Sequence, residues 1–313
     1  GGITMTPPDN YIRNSVGKAL PGINLRLQND GELCIKGPYV TKAYYKENND
    51  EIFKNGWFHT EDIFEEKNGY YFIIDRKKDI YKNSRGQTIA PQKIENLFQD
   101  FDAIKSIFLV GDGKEFNSVL IYPDYENSPV DLKLESDKNI RDFFSSIILS
   151  VNSFLSPYER IVNYVIINRD FSENNGELTH KGTFIRNQVL KNFKNIIDPL
   201  YEKNFISLYH NNQEIRIPNW LTREIGTVKN NIKWDGKLLS IKDQPKRMTL
   251  HWIDNSIQIG DFIYKSNSSF VDFELLIQCP HLWIGNLNFS EFVGDSIFRI
   301  KKPKKYSSLE LFK

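Results

Sequence analysis

The chain has 313 residues, 40% of them hydrophobic and 13% aromatic, which is material for two or three domains with buried cores. Lys and Arg (41) balance Asp and Glu (40) to a net charge of +1, so no overall electrostatic pull toward nucleic acid is implied. No apolar run approaches the ~18 residues of a membrane span, Cys34 and Cys279 form neither a disulfide nor a metal pattern, the five histidines lack ligand spacing, and no signal peptide or internal repeat is visible, the profile expected of a cytoplasmic protein.

Residues 16–75 read as strands. Ile23, Leu25 and Leu27 alternate with polar residues, Asn29-Asp30-Gly31 turns the chain, and 33–36 returns, which predicts a small antiparallel barrel or sheet. Asp62 then lies four residues past Trp57-Phe58, at the mouth of a strand over 63–65. A second strand over 70–75 delivers Arg76, with Asn68-Gly69 as the turn. Asp62 and Arg76 are therefore expected together at the open end of a hairpin. A carboxylate that can accept both hydroxyls of a ribose, beside a cation that cannot be neutralised, suits a nucleotide. Taken singly, Asp62 would be a turn cap, Arg76 half of a surface ion pair, and Lys77-Lys78 a solvated face.

Pro91 opens a helix with Ile94, Leu97, Phe98 and Phe101 at helical spacing. Strands over 104–110 and 118–122 flank Gly111-Asp112-Gly113, a hairpin turn and not a phosphate loop, since no helix start follows it. The polar stretch 124–139 reads as a loop. The next helix carries Ile140, Phe143, Phe144, Ile147, Ile148, Val151 and Phe154 on one face, and a strand over 161–167 precedes a helical stretch over 181–201 broken at Pro199. Strands and helices in that order describe an α+β unit of ~120 residues. Beyond it, 205–209 and 214–217 flank an Asn-Asn turn, 226–247 is polar enough to be a linker, and 248–253 with 257–264 flank an Asp-Asn-Ser turn. Lys301-Lys-Pro-Lys-Lys305 is a tail, with at most a peripheral contact to anionic lipid.

Seven motifs over roughly the first two thirds of the chain carry a resemblance: GITMT from Gly2, SVGKALPG from Ser15, GELCIKGPYV from Gly31, GWFHTEDI from Gly56, DRKKDIYK from Asp75, APQKIE from Ala90 and GELTHKG from Gly176. Together they resemble the AMP-forming acyl-CoA synthetases of the adenylate-forming superfamily, in their long-chain fatty acyl flavour. The resemblance implies that a carboxylic acid of the fatty class is coupled to ATP with Mg2+, that pyrophosphate leaves, and that the acyl-adenylate passes its acyl group to the thiol of coenzyme A or of carrier-protein phosphopantetheine. It implies an α+β architecture in which 1–76 ends the large AMP-binding domain as a β-barrel-like subdomain and 77–204 is a mobile lid. Residues 205–313 are left as a β-rich appendage of unassigned role.

By the same resemblance Gly2, Thr4, Asp62 and Arg76 contact the nucleotide, Lys78 is the hinge pivot, and Ser84, Arg85 and Gly86 line the acceptor-thiol tunnel; no protein metal ligand is implied. The family's phosphate-cradling loop lies upstream of the segment matching Gly2. The chain is therefore expected to be a carboxy-terminal part of a larger enzyme, inactive alone, whose own amino-terminal domain is its partner. Three positions depart from the pattern. Met5 stands where the family has a Glu that helps hold magnesium, and a thioether is a poor ligand for a hard cation. Ser84-Arg85-Gly86 replaces Ser-Gly-Gly, so Arg85 either narrows the tunnel or offers a cation to a phosphate. The family's adenylation lysine falls at Thr183, and Lys181 becomes the catalytic candidate because, in an extended segment, a two-residue slide returns a side chain to the same face. These departures keep a second reading open, a non-catalytic module for nucleotide binding or protein contact.

Overall fold

The computed structural model of the protein describes residues 2–46, 49–242 and 244–294; the basic run at 301–305 lies outside the described residues. The chain is mixed α/β and packs into two units, Gly1–Lys82 with Gly86–Asn96, and Asn83–Arg85 with Leu97–Lys313.

In the first unit β1 (Thr4–Met5) pairs antiparallel with β2 (Lys18–Ala19). Gly17, just before β2, has φ +90°, and a Cβ there would stand 2.2 Å from the carbonyl carbon of Met5, so this crossing admits only glycine. A larger antiparallel sheet follows: β3 (Asn24–Leu27), β4 (Glu32–Lys36), β5 (Phe53–Lys54), β6 (Trp57–Lys67) and β7 (Tyr70–Arg76), in which β6 pairs with β4, β5 and β7. Its inner residues Ile23, Leu33 and Ile35 are buried against Leu25, Phe58 and Phe64. Asn68 (φ 54°) and Gly69 (φ 80°) make the two-residue turn between β6 and β7, whose backbone hand suits the twist of the strands. β8 (Tyr81–Lys82) pairs with β9 (Thr88–Ile89), and α1 (Pro91–Glu95) tightens into a 3-10 turn over Asn96–Phe98. Phe101, read as part of that helix, lies past its end.

In the second unit β10 (Ile104–Val110) and β11 (Asn117–Pro123) form an antiparallel hairpin. The chain then crosses through α2 (Asp137–Asn152) to β12 (Ile161–Ile166), which lies parallel to β11. Ser136 caps α2 by accepting the Asn139 N–H, so the expected loop ends three residues early. Phe144, Ile148 and Val151 are buried, whereas Phe154 lies beyond the helix and is 78% exposed. α3 (Arg186–Asn192) and α4 (Lys194–Ile197) bury Val189, Phe193 and Ile197 against Phe108, Val110 and Leu120 of the sheet.

The hairpin of β13 (Phe205–His210) and β14 (Gln213–Pro218) turns at Asn211 and Asn212, both at positive φ, and leads into α5 (Asn219–Ile225) with Gly226 as its left-handed C-cap. The stretch 226–247 is not a linker. It contains β15 (Ile232–Trp234) and β16 (Leu238–Ile241), which open a five-stranded meander continued by β17 (Arg247–Ile253), β18 (Ser256–Ile259) and β19 (Phe262–Lys265). Ile232, Leu239 and Ile241 are buried while Lys233 and Lys237 face solvent; strands of three and four residues show too few apolar letters to stand out among Lys, Asp and Gly. The stretch 257–264 is likewise two strands, split at Gly260-Asp261. β20 (Phe270–Asp272) adds in parallel to β14, and α6 (Phe273–Ile277), α7 (Pro280–Trp283) and α8 (Leu287–Val293) complete the core with Phe273, Phe289 and Phe292. The β-rich reading of this part omitted those helices. Among the described residues no helix is long and apolar enough to cross a membrane.

Candidate functional site

The register of the β6–β7 hairpin sets Asp62 opposite Arg76. Asp62 Oδ1 stands 3.6 Å from Arg76 Nε, and the two side chains are 38% and 47% exposed. Immediately before Asp62 the strand is kinked: the β4–β6 register shifts, Glu61 takes φ 59°, and the Thr60 hydroxyl donates to Leu33 O (2.8 Å) while accepting the Asp62 N–H (3.2 Å). Burial raises the Asp62 carboxyl above its ordinary pKa, with Glu61 adding to the rise and Arg76 and Lys78 opposing it. Among the described residues no hydrogen bond occupies this carboxylate, so both oxygens remain open to hydroxyl donors.

The residue after Arg76 is tied down. Lys77 Nζ lies 2.7 Å from Asp30 Oδ2 and 3.0 Å from Glu32 Oε2, and the Lys77 N–H donates to Glu61 O at 2.8 Å. Glu32 accepts the Glu61 N–H through its other oxygen (3.1 Å) and has His59 Nδ1 3.5 Å away; His59 in turn lies 3.4 Å from Cys34 Sγ. Burial alone would push Glu32 up, but Lys77, the Glu61 N–H and His59 outweigh it and hold the carboxyl below its ordinary value. Lys77 is correspondingly raised by its hydrogen bonds to Asp30 and Glu32. Lys77 is thus exposed but paired, and Lys78 beside it is exposed as well. Asp75, 1% exposed, accepts the N–H of Arg76 (2.7 Å) and, with its second oxygen, that of Gln92 in the first turn of α1 (2.6 Å). Asp62 and Arg76 are brought together as expected. Thr4 lies in β1 and Gly2 two residues before it, and among the described residues no hydrogen bond or ion pair links them to Asp62 or Arg76. Met5 is 59% exposed.

In the second unit the Ser84 N–H donates to Lys114 O (2.9 Å), the Arg85 N–H to Asn83 Oδ1 (3.0 Å), and Arg85 Nη2 pairs with Glu115 Oε1 at 3.3 Å. Gly86 follows at φ 77° with open space where a Cβ would stand.

The segment around Lys181 is not extended. The Gly182 N–H donates to Thr179 O (2.8 Å), the Thr179 N–H to Thr183 O (2.9 Å), and Leu178 bridges Phe184, so Lys181 occupies the tip of a closed turn. The turn locks the register, and the two-residue slide proposed for a strand is unavailable. The base of this turn is fixed by Glu177, fully buried, which takes Arg169 on both oxygens (2.7 and 2.9 Å) and the Asn192 amide at 2.8 Å. Burial pushes Glu177 up, and these donors together with the Ser172 N–H bring it below its ordinary value. Lys181 itself is exposed on a rigidly anchored turn.

Residues 78–205 match the family described as AMP-binding enzyme C-terminal domain. Over 230 residues the chain is 31% identical to long-chain-fatty-acid–CoA ligase 6 of Mus musculus, an alignment covering 64% of this chain and 33% of that protein. It is 30% identical over 218 residues to long-chain-fatty-acid–CoA ligase FadD15 of Mycobacterium tuberculosis, covering 65% and 36%. The chain therefore spans about a third of the length of these relatives. Among solved structures, the A-PCP didomain of carboxylic acid reductase from Segniliparus rugosus, in complex with AMP, aligns with TM-score 0.49 and 21% identity over 60% of this chain and 28% of that one. The sequence matches bear out the resemblance carried by the seven motifs.

Proposed function

We propose that this chain, whose residues 78–205 match an AMP-binding enzyme C-terminal domain, is the carboxy-terminal part of an ATP-dependent carboxylic acid ligase, of the fatty acid class, that forms an acyl-adenylate and then a thioester with coenzyme A or a carrier thiol. The observation that carries the proposal is the Asp62–Arg76 pair, set by hairpin register within the motifs shared with the family, with its carboxylate half-buried and open to a diol. Asp62 accepts the ribose hydroxyls, and Arg76 takes the ribose or phosphate edge. Lys78 is the pivot, at the exposed end of a segment that Lys77 anchors. Met5 would offer magnesium no oxygen ligand, so the ion that would neutralise the triphosphate would have to be held by phosphates, water or residues outside this chain.

On the lid, 77–204, Lys181 offers its ammonium to the developing pyrophosphate from the tip of its turn, reaching by the length of its side chain. In the second lid orientation Ser84, Arg85 and Gly86 guide the acceptor thiol, with Arg85 either a steric limit or a phosphate contact. Gly2 and Thr4 contribute backbone to the nucleotide pocket. The triphosphate groups are bound by an upstream domain, so the 313-residue chain alone releases no pyrophosphate from ATP with any fatty acid. Fatty-acid-dependent pyrophosphate release by the purified chain would overturn this division of labour. The departures at Met5, Arg85 and Thr183 favour one other reading, a module that binds nucleotide without chemistry; it is separated by assaying the longer protein for both half-reactions.

A further inference from the structure

The appendage beyond residue 205 lies outside the family match, and one of its side chains is placed where appendages have no ordinary reason to place one. Arg223, on α5, is 2% exposed. Its Nη1 donates to the backbone carbonyl of Glu115 at 2.9 Å, and its Nη2 lies 3.2 Å from Glu224 Oε1. A buried guanidinium is costly unless its donors are met, and here one donor is spent on a main-chain oxygen 108 residues away in sequence, in the β10–β11 turn. That turn is the support of residues 84 and 85: Lys114 O takes the Ser84 N–H, and Glu115 Oε1 takes the Arg85 guanidinium. The turn is further held by the Lys114 N–H on Gly111 O (3.0 Å) and by Phe116, whose ring packs 4.9 Å from that of Tyr201. Arg160 then fixes the end of α5 by donating to Arg223 O (3.2 Å) and Glu224 O (2.8 Å).

We propose that Arg223 is a positioning residue through which the appendage braces residues 84–85, so that the appendage sets the presentation of Arg85 to the acceptor thiol. The contact is one-sided in a telling way. Arg223 does not approach a reacting group; it fixes the carbonyl of the residue whose carboxylate holds Arg85. Burial and the nearby Arg85 guanidinium lower the Arg223 pKa below its ordinary value, with Glu224 and Glu115 opposing. The assignment of an acceptor role to this loop rests on the function proposed above, whereas the brace itself does not.

The test uses amide hydrogen exchange on the 313-residue chain, wild type against Arg223→Met and Arg223→Lys. The expected result is exchange at Ser84 and Lys114 at least 10-fold faster in Arg223→Met, with β10–β11 amides unchanged, and a smaller increase in Arg223→Lys, whose ammonium cannot serve Glu115 O and Glu224 together. Should Arg223→Met lose protection throughout β10–β11, Arg223→Lys decides. Unchanged Ser84 exchange in a folded Arg223→Lys overturns the brace. In the longer enzyme the same Lys variant is expected to change the thiol step several-fold, with a higher KM if Arg85 contacts a phosphate and a faster step if it narrows the path, while leaving acyl-adenylate formation unaltered. Faster Ser84 exchange with every thiol parameter unchanged leaves the brace standing and removes residues 84–86 from the acceptor path.

Discussion

Lys77 places its ammonium 3.0 Å from Glu32, a carboxylate only 7% exposed on β4, across β6 from the end of β7, and so anchors the chain between Arg76 and Lys78. The same ammonium meets Asp30 at 2.7 Å. Asp30 and Glu32 both sit below their ordinary values of 3.8 and 4.5, Asp30 chiefly through its hydrogen bond to Lys77, and Glu32 through Lys77 and the Glu61 N–H against the upward push of burial. Carboxyls depressed in the fold stabilise it fully above those ordinary values, and the contribution is lost as pH falls through the folded ones. Lys77→Met is therefore expected to cost about 1–2 kcal/mol at pH 7, midway between an exposed and a buried pair because the ammonium is half-exposed. The cost should shrink steadily below about pH 4, as urea unfolding at pH 7 and pH 3 would reveal. An equal cost at both values would mean that the pair contributes nothing.

Asp62 behaves in the opposite sense. Burial raises its pKa, so it protonates before a solvated aspartate would as the solution is acidified. In the longer enzyme Asp62→Ala is expected to weaken ATP by about 2–4 kcal/mol, the loss of a pair of charge-assisted hydrogen bonds, with the near-UV circular dichroism unchanged. The wild-type affinity should begin to fall with pH above the ordinary 3.8, and the variant should lack that limb. Isothermal titration with ATP across pH reads both.

Lys181 and Arg85 are separated by half-reaction assays on the longer enzyme. Lys181→Ala should slow acyl-adenylate formation by ~10²-fold, about 3 kcal/mol of lost charge stabilisation, and leave thiol transfer from preformed adenylate nearly untouched. Arg85→Gly should spare adenylation and alter the thiol step alone, faster if Arg85 narrows the path and with a higher KM if it grips a phosphate. Adenylation at the parent rate in Lys181→Ala would deprive this turn of a catalytic cation.

Gly17 offers a stability test independent of chemistry. Its φ of +90° and the 2.2 Å approach of a hypothetical Cβ to the Met5 carbonyl leave no room for a side chain. Gly17→Ala is expected to cost about 2–4 kcal/mol in urea unfolding, through strain and separation of β1 from the chain before β2. A loss below about 0.5 kcal/mol would show that this crossing yields freely.

What the sequence revealed was what local rules govern. Asn68-Gly69 dictates a two-residue turn, and with it the facing of Asp62 and Arg76 follows from counting along two strands. Asp30 and Glu32 looked like turn and strand letters. Their pairing with Lys77 joins residues 45 and more positions apart, and only the folded sheet brings them within reach. The Lys181 turn was misread because Thr-His-Lys-Gly was taken as extended, although Gly182 at φ 75° is the residue that closes it. The stretch 226–247 was missed for another reason: its strands are too short to display a period, and their apolar residues face a core assembled from β17–β18 and α6–α8 later in the chain. Arg223 gave no signal at all, since a lysine- or arginine-bearing helix surface is ordinarily solvated.

The proposed ligase is tested most directly by long-chain fatty-acid-dependent ATP–pyrophosphate exchange in a longer protein that carries this chain, measured for wild type and Asp62→Ala at subsaturating ATP. Exchange is expected in the wild type, with a loss of at least 30-fold in the variant that is recovered in part at high ATP. A wild type that binds ATP yet catalyses no exchange, or an Asp62→Ala variant with wild-type exchange at every ATP concentration, would contradict it.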